Sequence, residues 1–327
     1  FRGYLPGLPA GVLAGGRYDN LLHRMGKVGD SIFETLQDAQ SRQLLYVKSY
    51  TDTISEKLKG VDLSKYAGEK QKTVSVTLES GKEFSMTAAQ AMSAVTLFER
   101  ENGRSHMEKG GIQIYDPKTR QLSRATALTE ADIAALRNAL DEEDKRVMKV
   151  FTDFMRDECT AWGNEATMEK YGFHRFTTAN YFPIKVNRDA TGADMKTFAP
   201  SQFNVENVGF AKSAKEDASA PVIIGSMIDV ANAHVSGMAT YAAYLNVEDG
   251  INRVLKVDGV KDAMRRALGS DAEKYITEMM NDLKGAGKDT KLSDNAVEVL
   301  NKMAGRYKAA AVSYNASTVA KQPLSYL

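Results

Sequence analysis

The densest group of charged side chains in the sequence is LFERENGRSHMEKGG, at residues 97–111. It places Arg100, Arg104 and His106 towards the end of a predicted helix. A guanidinium group can hold a phosphate with two parallel hydrogen bonds, so this group predicts a contact with an anion or a nucleic acid. A solvated helix face that ends at two glycines has the same composition, and the sequence leaves both interpretations open.

A second stretch alternates aromatic rings with cationic side chains. It begins with YGFHRF at residues 171–176 and continues through Tyr181 and Phe182. Rings that stack on bases beside cations that contact phosphates are typical of single-stranded nucleic-acid binding, although core aromatics beside surface cations give the same pattern. From the two stretches we predict these nucleic-acid-binding residues: Arg100, Arg104, His106, Arg175, Lys185 and Arg188.

The sequence contains no motif of established catalytic or metal-binding chemistry. GAGK at residues 285–288 lacks the glycine spacing and the preceding strand of a phosphate-binding loop, and neither C-x-x-C nor H-E-x-x-H occurs. The histidines are far apart and have no metal-ligand spacing: His23, His106, His174 and His234. We therefore expect no cofactor and no metal site. The alternative is an enzyme whose catalytic residues are unknown, and its acid–base set would be His106, Glu108, His174 and Asp189 if folding brings them into one cleft.

Composition limits the classes of partner. The 43 Lys and Arg residues nearly balance the 42 Asp and Glu residues, so no overall field draws the chain to nucleic acid or to an anionic membrane surface. Any nucleic-acid contact must come from a local patch. The single cysteine, Cys159, cannot form an internal disulfide, and its position in a helical pattern predicts a buried structural thiol.

A mainly α-helical framework must position these side chains. The central element is predicted at residues 221–247, PVIIGSMIDVANAHVSGMATYAAYLNV, because this run is nearly uncharged and is apolar on both helix faces. The alternative is a segment that enters a membrane, but a span would place Asp229, Asn232 and His234 in lipid, which is costly. We expect a buried helix and no stable membrane span.

Capping and turn signals divide the rest of the chain, with helix starts predicted after Thr87, Thr129 and Asp141. The predicted helices cover residues 30–58, 88–107, 130–140, 142–166, 260–268, 272–284 and 294–319, and the predicted hairpins pair residues 74–78 with 84–86 and 112–115 with 121–125. The predicted fold is an elongated helical domain in two lobes with one or two small β-hairpins. Its segments are an arm at 1–28, a lobe at 29–190, a loop at 191–220 and a lobe at 221–327.

The first 27 residues, FRGYLPGLPAGVLAGGRYDNLLHRMGK, contain a GGRYD motif. This segment resembles histidyl-tRNA synthetase-like chains, including the regulatory subunit of ATP phosphoribosyltransferase. The resemblance implies that Arg17 and Tyr18 belong to a pocket of the kind that binds histidine. It ends before GDSIFETLQDAQ, and no other class II synthetase element follows, so it covers only the arm.

From about residue 29 onward, the order of motifs resembles a helical region in the very large polyvalent proteins of tailed bacteriophages and integrative elements. The motifs that carry this resemblance are GDSIF, the SGK hairpin, AQAMSAVTLFERENGRSHMEKGGI, NYFPI and YNASTVAKQPLSY. The resemblance implies a module that accompanies helicase, methyltransferase or protease modules. It also implies a place in the cytoplasm of a bacterial host, reached inside a virion together with phage DNA. It transfers no catalytic residue.

We therefore expect a non-enzymatic structural or binding module of a phage or mobile-element polyvalent protein, with DNA or other phage and mobile-element proteins as its partners. Two alternatives remain open. One is an enzyme whose site is not recognisable from sequence, and the other is a membrane-passage or ejection protein. Residue 1 is not methionine, and we expect the chain to be part of a longer protein.

Overall fold

A computed structural model of the chain describes residue 22 and residues 25–67, 71–116, 121–178, 181–187 and 220–268. As predicted, this part is mainly α-helical with two small sheets. The helices are α1 (Lys27–Lys57), α2 (Ala88–Phe98), α3 (Glu101–Lys109), α4 (Glu130–Ala139), α5 (Glu142–Phe154), α6 (Thr160–Tyr171), α7 (Met227–Leu255) and α8 (Asp258–Leu268). The strands are β1 (Thr73–Thr77), β2 (Glu83–Thr87), β3 (Ile112–Asp116), β4 (Gln121–Leu122) and β5 (Val222–Ile224). The GGRYD arm up to residue 21 and the predicted helices 272–284 and 294–319 lie outside the described residues.

Helix α7 lies at the centre of the core, as predicted. It packs against α1, α2, α5 and α6, and most residues of its first six turns are buried. Two hydrogen bonds between polar side chains connect α1 and α7: Tyr50 on α1 donates to Oδ1 of Asn232 at 2.6 Å, and Gln43 donates to the Thr240 hydroxyl at 2.8 Å. Within the described residues, none of the helices combines the length and the apolarity that crossing a bilayer requires.

The prediction that the central helix begins at residue 221 was wrong. Residues Val222–Ile224 form strand β5, and α7 begins only at Met227. In an apolar run of this length, periodicity does not distinguish a buried strand from a helical turn. Residues 222–224 form a strand because a neighbouring strand is available to pair with them. That strand is β3, which binds β5 in parallel with Ile112 opposite Val222.

The first predicted hairpin is confirmed. Strands β1 and β2 pair antiparallel, and Gly81 closes the turn at φ 77°. The capping box that starts α2 is also present, because Thr87 Oγ1 accepts from the Gln90 amide and the Gln90 side chain accepts from the Thr87 amide. The buried face of β1, Val74 and Val76, packs against α4.

A buried carboxylate fixes the segment before this hairpin to α5. Asp144 is fully buried and accepts from the Tyr66 hydroxyl at 2.8 Å and from Lys72 Nζ at 2.7 and 2.8 Å. Lys72 also donates to Asp141, the residue that caps α5, and it holds the pKa of that carboxyl down to about 2. Because each charge has an opposite partner, the buried ion pair is tolerated at this contact.

The prediction of one continuous helix at residues 88–107 was wrong. The chain breaks between α2 and α3, where Arg100 has an extended backbone. Glycine at position 103 allows α3 to lie this close to the end of α2, because a Cβ there would lie 2.1 Å from the carbonyl oxygen of Leu97. All of α2 is buried, whereas α3 turns an exposed, charged face to solvent.

The helix predicted at residues 142–166 contains a π-helical turn, Met155–Cys159, between α5 and α6. Buried apolar residues form a stripe along α5, and an aromatic column continues from it. In this column, Phe154 lies 5.0 Å from the Tyr50 ring and 5.5 Å from the Trp162 ring, measured between centroids. Cys159 is buried as predicted, and burial raises the pKa of its thiol.

The second sheet has the order β4-β3-β5. The predicted antiparallel pair is confirmed for β3 and β4, although β4 is short. Val186 forms an antiparallel bridge with Val222, and the Asn187 amide donates to the carbonyl of Pro221 at 2.8 Å. The chain therefore leaves and re-enters the described structure at neighbouring positions. The predicted segment boundaries near residues 190–220 stay a prediction.

Candidate nucleic-acid interface

Arg100 is directed into the protein. Its Nη1 donates to the carbonyl oxygen of Phe182 at 2.6 Å, and its guanidinium carbon lies 5.3 Å from the centre of the Tyr181 ring. Burial lowers the pKa of Arg100, and Tyr181 opposes that change. The Tyr181 ring in turn lies 5.2 Å from the buried ring of His234. Arg100 thus holds the segment 181–187 against α7.

His106 and Arg104 lie on α3 but face in different directions. His106 is buried, and its Nδ1 lies 3.0 Å from the carbonyl oxygen of Ala220. Because a carbonyl oxygen only accepts, this contact requires the proton on Nδ1. Arg104 is exposed, and its guanidinium lies 5.1 Å from the centre of the Phe98 ring. Of these two predicted residues, only Arg104 presents its charge to solvent.

The acid–base residues of the alternative enzyme hypothesis differ in their exposure to solvent. His106 is buried against Ala220, whereas Glu108 and His174 are exposed. Asp189 lies outside the described residues. Among the residues that the structure describes, there is no group of three or more His, Cys, Asp and Glu side chains that could hold a metal ion.

The second predicted stretch forms an exposed surface at the end of α6. We call it the α6 terminal surface and define it as residues 168–175. Gly172 ends the helix in a left-handed conformation at φ 77°, and its amide donates to the Met168 carbonyl at 2.9 Å. A residue without Cβ adopts this backbone at little cost. The chain therefore turns here, and all of residues 171–175 are exposed.

Two aromatic rings and two cations meet on this surface. The rings of Tyr171 and Phe173 lie 6.0 Å apart at an angle of 36°. Lys170 Nζ lies 5.4 Å from the centre of the Tyr171 ring, and the Arg175 guanidinium carbon lies 5.2 Å from it. Both distances are within the range of cation–π attraction, which holds a cation over the ring. The sequence prediction named Arg175 but missed Lys170, although it directly precedes YGFHRF.

The end of this surface is fixed to the core. The Asn164 side chain donates to the Phe176 carbonyl and accepts from the Phe176 amide, both at 2.9 Å. The Phe176 ring packs edge-on against the Tyr241 ring of α7, with 5.6 Å between their centroids. A Cβ at Gly163 would lie 2.7 Å from the Phe176 ring. The Arg175 amide also contacts the Thr167 hydroxyl at 3.4 Å. The exposed residues therefore project from a backbone that is held on both sides.

Lys185 is exposed at the edge of the second sheet, where its carbonyl accepts from the Ile223 amide at 2.8 Å. Arg188 lies outside the described residues. The structure thus distributes the predicted cations over several places. Arg175 is the member of that set that lies beside exposed aromatic rings, and the nucleic-acid-binding role of the other exposed members stays a prediction.

Comparison of the chain with protein-family models, with curated proteins and with solved structures finds no match.

Proposed function

We propose that this protein is a non-enzymatic binding module of a phage or mobile-element polyvalent protein, and that it contacts nucleic acid through the α6 terminal surface. The observation that carries the nucleic-acid contact is the exposure of Tyr171 and Phe173 beside Lys170 and Arg175. The motif resemblance from residue 29 onward supports the mobile-element context.

Local charge supports an anionic partner even though the whole chain is nearly neutral. Lys170 and Arg175 both lie over one ring, so their charges are concentrated in a small area. The nearest carboxylate in sequence, Glu169, accepts from the side-chain Nδ2 of Asn246 on α7 at 2.6 Å and is thereby drawn towards that helix. Phosphate contacts with such cations release counterions, and binding then weakens as salt rises.

The test is a fluorescence-anisotropy titration of the protein with labelled single-stranded DNA at several salt concentrations. We expect Arg175→Ala and Lys170→Ala each to weaken binding and to reduce the slope of log affinity against log salt by roughly 0.7, the value for one lost phosphate contact. The matched control is Lys149→Ala, because Lys149 is an exposed cation on α5 that pairs with Asp153. It should leave the slope unchanged.

Two results would contradict this proposal. One is the absence of salt-dependent binding by the unmodified protein at low salt. The other is binding that all three variants weaken equally, which would indicate a diffuse charge effect without a contribution from this surface.

A further inference from the structure

The two aromatic rings of the α6 terminal surface have different surroundings. Tyr171 contacts both cations and is 37% exposed, whereas Phe173 is 56% exposed at the tip of the turn. From this difference we infer that Phe173 stacks on an unpaired nucleobase and that the surface therefore selects single-stranded over duplex nucleic acid. This inference rests on the proposed function.

The geometry of the ring pair decides where a base would lie. A base inserted between two rings needs them parallel and separated by about two stacking distances, but Tyr171 and Phe173 are inclined by 36° with centroids only 6.0 Å apart. The outer face of Phe173 is therefore the stacking surface. Within a duplex, each base covers its neighbours' faces, so a protruding ring of this kind finds an open face only on an unpaired strand.

The two cations lie close enough to Phe173 to contact the phosphate of the nucleotide whose base stacks on its ring. Arg175 is two residues beyond Phe173, and the bonds from Asn164 to Phe176 fix the backbone that carries both. Attraction to the Tyr171 ring keeps Arg175 and Lys170 near this position before a ligand arrives. A cation that is already ordered loses less conformational entropy when it meets a phosphate. Tyr171 thus positions the charges, and Phe173 contacts the base.

The polarity of the surroundings also favours a base over an apolar peptide. Phe173 is followed by His174 and Arg175, and both are exposed. The core of a protein–protein contact is depleted in charge, whereas stacking platforms for single strands combine rings with cations.

The experiment compares an oligothymidine strand, an oligouridine strand of equal length and a DNA duplex in anisotropy titrations at one low salt concentration. The unmodified protein should bind both single strands more tightly than the duplex, and similar affinity for the two strands would show that the sugar is not what the surface recognises. Phe173→Ala should weaken single-strand binding about tenfold, the typical cost of one lost stack, and leave duplex binding unchanged. Phe173→Tyr should retain wild-type affinity, because the ring is kept.

Two further variants separate stacking from other effects. Phe173→Leu keeps an apolar side chain without a ring face, and we expect it to bind as weakly as Phe173→Ala. Val257→Ala removes a side chain of matched exposure, 55%, near the start of α8, and should leave binding unchanged. Urea unfolding followed by fluorescence of Trp162, the only tryptophan, confirms that each variant is folded.

The contrary outcomes distinguish this inference from the proposed function. Salt-dependent binding with equal affinity for strand and duplex would overturn base stacking and keep the nucleic-acid contact. Wild-type affinity in Phe173→Leu would also overturn stacking, because an apolar contact would then suffice. Failure to bind any of the three ligands would remove both proposals.

Discussion

Charged and polar residues in this protein serve different purposes depending on burial. Arg100 and His106 both come from a stretch that predicts phosphate binding, yet each has its polar atoms directed at a backbone carbonyl, of Phe182 and Ala220 respectively. Replacing such a residue would leave a part-buried carbonyl without its donor, which costs at most about 1–3 kcal/mol of stability. Loss of binding in an Arg100 variant would therefore report on folding as well as on contact, which makes Arg175 the better probe.

The buried side chain of His234 should make the stability of the protein depend on pH. Burial lowers its pKa to about 4 in the folded protein, below the ordinary value of 6.5. A depressed folded-state pKa means that the unfolded chain takes up the proton first as pH falls. Full stability is then present above about pH 6.5, and stability is lost progressively towards pH 4 at up to about 1.4 kcal/mol per pH unit.

The measurement is urea unfolding, followed by Trp162 fluorescence, at several pH values between 4 and 7.5. His234→Phe keeps a ring against Tyr181 and cannot titrate, so its stability should fall less steeply over this range than that of the unmodified protein. Burial raises the pKa of Tyr181 to about 12, and that neighbour therefore does not contribute. His174→Gln is the control, because His174 is exposed. Equal slopes for His234→Phe and the unmodified protein would contradict this assignment.

At the scale of elements, close packing decides where helices break. Helical propensity alone favours Ala over Gly by about 1 kcal/mol in a helix interior. At Gly103 packing opposes that preference, because a Cβ would lie 2.1 Å from the Leu97 carbonyl oxygen. Gly250, within α7, is the opposite case, because a Cβ there meets no atom within 4 Å.

The two glycines form a matched pair for a test. Gly103→Ala should destabilise the protein by about 1–3 kcal/mol, since α3 must move away from the end of α2. Gly250→Ala should instead stabilise it by about 0.5–1 kcal/mol through helix propensity and a less flexible unfolded chain. Urea unfolding of both variants measures the two changes. A stabilising Gly103→Ala would show that propensity, and not the close approach to Leu97, dominates at this break.

At the scale of the whole molecule, α7 joins parts of the chain that are far apart in sequence. Helices α1, α2, α5 and α6 all pack on it, and the strand that precedes it completes the second sheet. Residues 185–187 and 221–223 face each other across that sheet. The connection between them, residues 188–219, therefore starts and ends at one place.

This closure predicts that the connection can be replaced without loss of the described fold. Exchanging residues 188–219 for a Gly-containing turn of about four residues should preserve cooperative unfolding, because a shorter loop costs less entropy to close. Ala220 is retained so that His106 keeps its acceptor. Trp162 fluorescence during urea unfolding is the measurement. Loss of a cooperative transition would show that residues 188–219 make essential contacts with the rest of the protein.

Local signals in the sequence determined most of the secondary structure. The capping boxes after Thr87, Thr129 and Asp141, the turn at Gly81 and the apolar stripe of α5 all involve residues within about four positions of one another. Such interactions form wherever the backbone adopts the local conformation, so their pattern is visible without the fold. The buried character of α7 and of Cys159 likewise followed from composition and periodicity.

Tertiary structure alone decided which of the predicted cations face solvent. Arg100 meets Phe182 across 82 positions of the chain, and His106 meets Ala220 across 114. The parallel pairing of β5 with β3 is equally remote in sequence. A linear pattern of residue types does not encode contacts of this range, since they depend on how the helices pack around α7. The same packing fixes Phe176 to the core and thereby leaves residues 171–175 exposed as the candidate interface.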